Sequence, residues 1–269
     1  MIRGLSLDCL TLPDASPVEL IHAAGAAGFA SVSLWVQPPA IAPNMLATPD
    51  MAEQIRRALA EAGISIGNLE VFNLNGDDRV EAYAPMLAFG AELGAKTATA
   101  IDYGTPRDDM PQRLAAFTVL CTQHGLSTLV EPISMGNVRT PQDGAALIRA
   151  SGVEARLVLD AVHLVRTGTT PQALRDIPAE LIGYFQICDG PTTLSPEEIN
   201  VEATANRLYP GEGAFPLAAY LAALPDDTPL GVEVPSLARQ QRGASLEERA
   251  REAFTSTHSL LRSLEEAGR

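Results

Sequence analysis

Acidic side chains recur at the ends of short apolar runs in this sequence. Glu70 sits in NLEVF, Asp102 follows TATAI, and Glu131 sits in LVEP. Asp160 ends LVLD with His163 three residues on, Gln186 and Asp189 belong to YFQICD, and Glu233 sits in GVEVP. A buried carboxylate without a partner costs several kcal/mol, so three or four of them near one axis require a compensating cation. No Lys lies at these run ends, and Arg207 lies in the stretch after YFQICD. A divalent metal is the economical explanation. Carboxylate and amide oxygens suit Mg²⁺, Mn²⁺ or Co²⁺ better than Zn²⁺, and neither H-E-x-x-H nor C-x-x-C occurs.

The elements that must position these groups alternate strictly. The apolar, β-branched runs 3–9, 31–36, 65–72, 97–101, 127–132, 156–159, 183–189 and 230–234 read as strands. The stretches 17–27, 49–62, 79–93, 110–124, 141–151, 171–177, 216–223 and 246–267 read as helices. Ser16-Pro17, Thr140-Pro141 and Thr170-Pro171 each place an N-cap residue before a proline at the first helical position. Gly63, Gly94 and Gly125 each follow a helical run, as a C-cap glycine should. Strand–helix alternation implies parallel strands with helical crossovers. Eight such units in one domain, residues 1–269, predict a (β/α)8 TIM barrel. An open doubly wound sheet would carry a glycine-rich turn after its first strand, whereas this one ends Leu7-Asp8-Cys9-Leu10. The stretch 190–215 reads as a long insertion after strand seven. In a barrel the C-terminal strand ends converge, which brings Glu70, Asp102, Glu131, Asp160, Gln186, Asp189 and Glu233 to one mouth, with Trp35 at the end of strand two as a candidate pocket wall.

Composition narrows the function classes. The chain has 269 residues, 46% apolar and 19% charged, with a formal net charge of −14. So acidic a surface argues against nucleic acid as a partner. No apolar run reaches the roughly 18 residues of a membrane span. The N-terminus lacks a leader pattern, and three scattered cysteines predict a reducing cytoplasm rather than a disulfide framework.

In order and combination, Glu131, the Asp160-x-x-His163 pair, YFQICDG, the RLYPGEG segment containing Arg207, and VEV around Glu233 resemble the xylose-isomerase-like TIM-barrel superfamily of sugar isomerases and epimerases. The resemblance spans essentially the whole chain. It implies a metal held by Glu131, Asp160, Gln186 and Glu233, with substrate contacts from His163 and Arg207. Many members carry His where this chain has Gln186, although hydroxypyruvate-isomerase-like members also carry Gln. The change predicts looser binding, with Mn²⁺ or Mg²⁺ favoured and Co²⁺ possible. The implied chemistry is an enediolate formed beside the metal, with Glu131 and Glu233 flanking the substrate as proton carriers. A leaving group β to the enolate turns the same site into a lyase or dehydratase on a cyclic polyol, keto-sugar or dehydroshikimate-like acid. A third reading is a non-catalytic binding subunit. A DNA-repair endonuclease, which shares the barrel, needs more histidines than the four present. The expected partner is a small sugar, polyol or keto acid, and the family implies a homo-oligomer.

Several residues also have plain structural readings. Glu70 and Asp102 suit internal hydrogen bonding, although Glu70 is also a candidate substrate contact. Asp189 suits the Gly190-Pro191 turn. Cys9 and Cys188 suit packing, and His22, His124 and His258 suit helix surfaces. Arg239, Gln240 and Arg242, after strand eight, fit either closure over a substrate or a solvated loop.

Overall fold

Eight short parallel strands follow one another around a circle: β1 (Leu5–Leu7), β2 (Ser31–Trp35), β3 (Ser65–Asn73), β4 (Thr97–Ile101), β5 (Ser127–Val130), β6 (Ala155–Asp160), β7 (Ile182–Ile187) and β8 (Leu230–Val232). Each pairs with its sequence neighbour, and β1 also pairs with β8, closing the barrel. The structure is a computed structural model and describes residues 4–38, 40–76 and 79–267. The barrel is the expected fold. The expected start of the first strand at Arg3 lies outside the described residues.

Helices α1 (Pro17–Ala27), α2 (Ala52–Ala62), α3 (Ala84–Glu92), α4 (Met110–Gln123) and α5 (Pro141–Ser151) fill the first five crossovers. After β6 come α6 (Ala161–Arg166) and α7 (Pro171–Arg175). After β7 come α8 (Pro196–Thr204) and α9 (Leu217–Leu221). After β8 come α10 (Leu237–Gln241) and α11 (Leu246–Ala267). Ser16 and Thr140 form reciprocal capping boxes with Glu19 and Asp143, and Thr170 caps α7. The three expected C-cap glycines all have positive φ.

Three helices depart from expectation. Asp160, besides ending β6, caps α6 by accepting from Val162 N at 3.1 Å, so the Asp-x-x-His run is also a helix start. The expected insertion 190–215 is organised around α8, which opens with a Ser195/Glu198 capping box. A third short helix, α10, follows β8. Two expected helices, 49–62 and 79–93, begin as 3₁₀ turns, at Pro49–Met51 and Val80–Tyr83.

Side chains alternate along a strand. Leu5 and Leu7, with Ile187 and Val232, pack into the main core under the helices. The opposite parity runs through Ser6–Asp8, Asn68–Glu70, Leu129–Glu131, Val158–Asp160, Tyr184–Gln186 and Gly231–Glu233. Leu129, Val158 and Tyr184 form a separate buried apolar cluster, with the acid and amide residues one step further along each strand. Backbone bonds from Glu131 N to Ala100 O (2.9 Å) and from Glu233 N to Ile187 O (3.3 Å) continue the ladders, so both glutamates stand on fixed backbone.

Candidate active site

Besides Asp102 and Asp189, which are buried in loop contacts, five buried carboxylic acids cluster at the C-terminal strand ends: Asp8, Glu70, Glu131, Asp160 and Glu233. They fall into two groups. Glu131, Asp160 and His163 bring ligand-type atoms within 4.8 Å of one another, and so do Asp8, Glu70 and Glu233. Sequence reasoning placed all of these at the mouth except Asp8, which it passed over. Asp8 follows a strand of only three residues, yet it obeys the same strand-end rule. Tyr184 OH donates to Asp8 Oδ1 at 2.7 Å. Gly231 permits this approach, because a Cβ there would lie 2.1 Å from the Tyr184 oxygen and 2.3 Å from Asp8 Oδ2.

Gln186, only 2% exposed, ties together the three acids of the second group. Its Nε2 donates toward Asp8 Oδ2 (3.1 Å), Glu233 Oε1 (3.1 Å) and Glu70 Oε1 (3.3 Å). Its Oε1 is buried and has no hydrogen-bond partner among the described residues. Glu70 is further held by Ser33 Oγ at 2.9 Å, Asn68 Nδ2 at 3.0 Å and the Cys9 thiol at 3.3 Å.

The structure supplies a cation that the strand ends alone lack. Arg207, 2% exposed, places Nη1 2.8 Å from Asp160 Oδ2 and 2.9 Å from Glu233 Oε2. Nη1 also faces Glu233 O at 3.1 Å, while Nε and Nη2 donate to Ala203 O. Expected as a reach from a loop to a substrate oxygen, Arg207 is here committed to protein oxygens. One guanidinium against five carboxylic acids still leaves an excess of buried negative charge.

That excess shows in the acidities. Burial, reinforced by the charge of Glu233, pushes Glu70 up to about 8. Burial likewise pushes Glu233 up to about 8, against the pull of Arg207. Glu131 is raised well above the usual carboxylate range by burial and by the charges of Glu233 and Asp160. Asp8 is raised by burial and by Glu70. Burial lowers His163 to about 4, so its imidazole is neutral at ordinary pH.

The two glutamates differ in their surroundings. Glu233 has one oxygen on Arg207 and the other on Gln186. No hydrogen bond reaches the Glu131 carboxylate among the described residues, and its Oε1 lies 3.8 Å from His163 Nε2. The residues present fit a divalent cation: a carboxylate-rich, oxygen-donor pocket, uncompensated negative charge, and a buried amide oxygen without a partner.

Other candidates have structural partners. Trp35 is buried, donates from Nε1 to Gln37 O at 2.7 Å, and lies beside Glu70 in the β2–β3 register. Asp102 joins loops by accepting from Asn75 Nδ2 (2.9 Å) and Asn137 Nδ2 (2.8 Å). Asp189 accepts from the backbone of Gly190, Gly211 and Phe215, which fixes the PGEG turn. Cys188 Sγ lies 3.7 Å from Asp160 Oδ1 and 3.9 Å from Arg207 Nη1. Arg239 lies over the Tyr209 ring and pairs with Glu212 and Glu252. His22 is exposed on α1, His258 stacks on Phe254 within α11, and His124 is the residue that ends α4, none of them at a strand end. Ser134 went unread in the sequence, yet its backbone N and Oγ lie 3.3 and 3.1 Å from His163 Nδ1.

Comparison with known proteins places this geometry. A 3-dehydroshikimate dehydratase of Pseudomonas aeruginosa is 26% identical over 222 residues, which are 76% of this chain and 33% of that protein. The chain thus spans about a third of that relative's length. A xylose isomerase-like TIM barrel/4-hydroxyphenylpyruvate dioxygenase fusion protein superposes with a TM-score of 0.75 at 22% identity, over 95% of this chain and 42% of that one. The IolI protein, solved with a zinc atom bound, superposes with a TM-score of 0.77 at 17% identity, over 97% and 99% of the two chains. At those identities the two structures show the shared barrel. Among the described residues no helix is long and apolar enough to cross a membrane. Residues 21–258 match the xylose isomerase-like TIM barrel family, and the chain belongs to it.

Proposed function

We propose that this chain is a divalent-metal-dependent dehydratase acting on a small polyhydroxylated cyclic keto acid of the 3-dehydroshikimate type. The observation that carries this reading is the inequality of the two glutamates. Glu233 is clamped at both oxygens by Arg207 and Gln186, while Glu131 accepts no hydrogen bond among the described residues and faces His163. An epimerase needs two proton carriers on opposite faces. An elimination needs one carrier that removes a C–H proton and returns it to the departing oxygen. The similarity to the Pseudomonas dehydratase supports the same choice.

Glu131, Asp160, Gln186 and Glu233 would hold the metal, and the buried, unpartnered Gln186 Oε1 is suited to be its amide ligand. When bound, the cation supplies Lewis-acid stabilisation of negative charge on the substrate carbonyl oxygen. Mg²⁺, Mn²⁺ and Co²⁺ suit this oxygen-rich set. Glu131 removes the proton α to the carbonyl. The β C–O bond then breaks, a C=C bond forms, and the departing hydroxyl takes the proton back from Glu131 and leaves as water. Burial and the neighbouring acids raise the proton affinity of Glu131 above the usual carboxylate range. Arg207 bridges Asp160 and Glu233 through Nη1 and holds both in place.

The test is incubation with 3-dehydroshikimate and Mn²⁺, Mg²⁺ or Co²⁺, following the ultraviolet absorbance of the unsaturated product, with E131Q as control. Product formation by wild type, abolished in E131Q, is expected. Metal-loaded protein that leaves the compound intact overturns the substrate assignment. Exchange of the α-hydrogen with solvent deuterium, without loss of water, instead makes the chain a two-glutamate isomerase or epimerase.

A further inference from the structure

The part played by His163 is decided by what stands behind its ring. Ser134 N lies 3.3 Å from Nδ1, and Ser134 Oγ lies 3.1 Å from the same nitrogen. A backbone N–H can only donate. A proton on Nδ1 would point directly at that N–H, so Nδ1 carries the lone pair and Nε2 carries the hydrogen. Nε2 is the nitrogen that faces Glu131 Oε1, at 3.8 Å.

Ser134 is itself held rigidly. Ile133 N donates to Val138 O, Gly136 N to Ile133 O, and Asn137 N to Asp102 O, at 2.9–3.0 Å. Asn137 Nδ2 adds a bond to Asp102 Oδ1 at 2.8 Å. At Gly136 a Cβ would lie 2.7 Å from Asp102 O, so the turn is tightly packed. Residues 133–138 therefore present one N–H at a fixed place behind the imidazole.

We infer that Ser134 is a positioning residue that locks His163 in its Nε2–H form, making His163 a permanent hydrogen-bond donor to a substrate oxygen rather than an acid or base. An imidazole in this form has no lone pair at the nitrogen that faces the site, so it cannot remove the substrate proton. Giving up its only proton would leave an imidazolate, so it does not protonate the leaving hydroxyl either. Both transfers then fall to Glu131, and His163 supplies a fixed dipole where charge develops.

This rests on the dehydratase reading for its substrate, but the tautomer can be measured without one. In protein labelled with ¹⁵N-histidine, long-range ¹H–¹⁵N correlation should show His163 Nδ1 as an unprotonated, pyridine-like nitrogen and Nε2 as a protonated, pyrrole-like one. S134A keeps the backbone donor and should leave that signature in place. The opposite tautomer, an imidazolium, or a tautomer that changes in S134A overturns the lock, whatever the substrate proves to be.

The donor role is read by rescue. Gln at position 163 can offer an N–H near the place of Nε2 but cannot carry a proton. If turnover is established, H163A should lose roughly 10²–10³-fold in kcat, the range for removing one donor of this kind, while H163Q recovers about tenfold or more of that loss. H163Q and H163A equally inactive, both folded and metal-loaded, would mean that His163 transfers a proton.

Discussion

Arg207 and Asp160 are 47 residues apart in the chain, and their side chains meet at 2.8 Å. The guanidinium comes from the excursion after β7 and the carboxylate from the end of β6. Removing one partner of such a buried pair leaves an uncompensated charge. R207Q should therefore destabilise the metal-free protein by about 3–5 kcal/mol, read by urea unfolding with chelator present. A change under about 1 kcal/mol would show that the pair contributes no more than a surface contact.

Glu70 gives the pH dependence its sign. Its folded-state pKa, raised to about 8, lies above the unfolded value near 4.3. The native state then binds more protons than the unfolded state between those values. The contribution is complete below the unfolded pKa and is lost as pH rises through about 8. Chelator-treated wild type should lose melting temperature from pH 5 to pH 8, and E70Q should show a flatter profile. A melting temperature that climbs across this window in chelated wild type would contradict the assignment.

Gln186 offers an amide oxygen and two N–H hydrogens. An imidazole at that place offers one nitrogen ligand and at most one N–H to the acids. Q186H should shift metal preference toward Zn²⁺, which imidazole suits, and should lower the melting temperature of the metal-free protein. Competition titrations of Zn²⁺ against Mg²⁺ measure the first effect. An unchanged preference would remove Gln186 from the ligand set.

Gly231 tests the packing beneath the site. G231A would drive a methyl group into the Tyr184 hydroxyl and the Asp8 carboxylate, both buried. Overpacking of this kind costs about 1–3 kcal/mol. Denaturant unfolding of G231A checks it, and a wild-type midpoint would show that the barrel floor is looser than these contacts imply.

Much of the scaffold was legible because it is written locally. Apolar, β-branched runs, proline after Ser or Thr, and glycine at helix ends are read within a few residues, and each marked a real boundary. The same rules recovered Glu131, Asp160, Gln186 and Glu233 as strand-end groups. Ser195-Pro196 carries the same capping signature as Ser16-Pro17, but a short polar helix without an apolar stripe read as loop. Asp8 was passed over because the first run reads as a strand over 3–9, which puts it inside the strand, whereas β1 ends at Leu7 and leaves Asp8 at the strand end. Arg207 and Ser134 act through contacts 47 and 29 residues away. Loop side chains carry no periodicity that would announce such meetings.

The route of the chain to Arg207 also bears on how the barrel mouth is neutralised. The barrel wall is built from pairings between neighbouring strands, whereas the guanidinium rides on a detour that passes through α8. That detour is fastened by Arg166, which grips both oxygens of Glu202 and the carbonyls of Pro191 and Thr192. Until it docks, Asp160 and Glu233 face each other without their counter-charge. Seating the detour is thus what makes the mouth electrostatically tolerable, and the barrel's polar end depends on a segment outside the barrel wall.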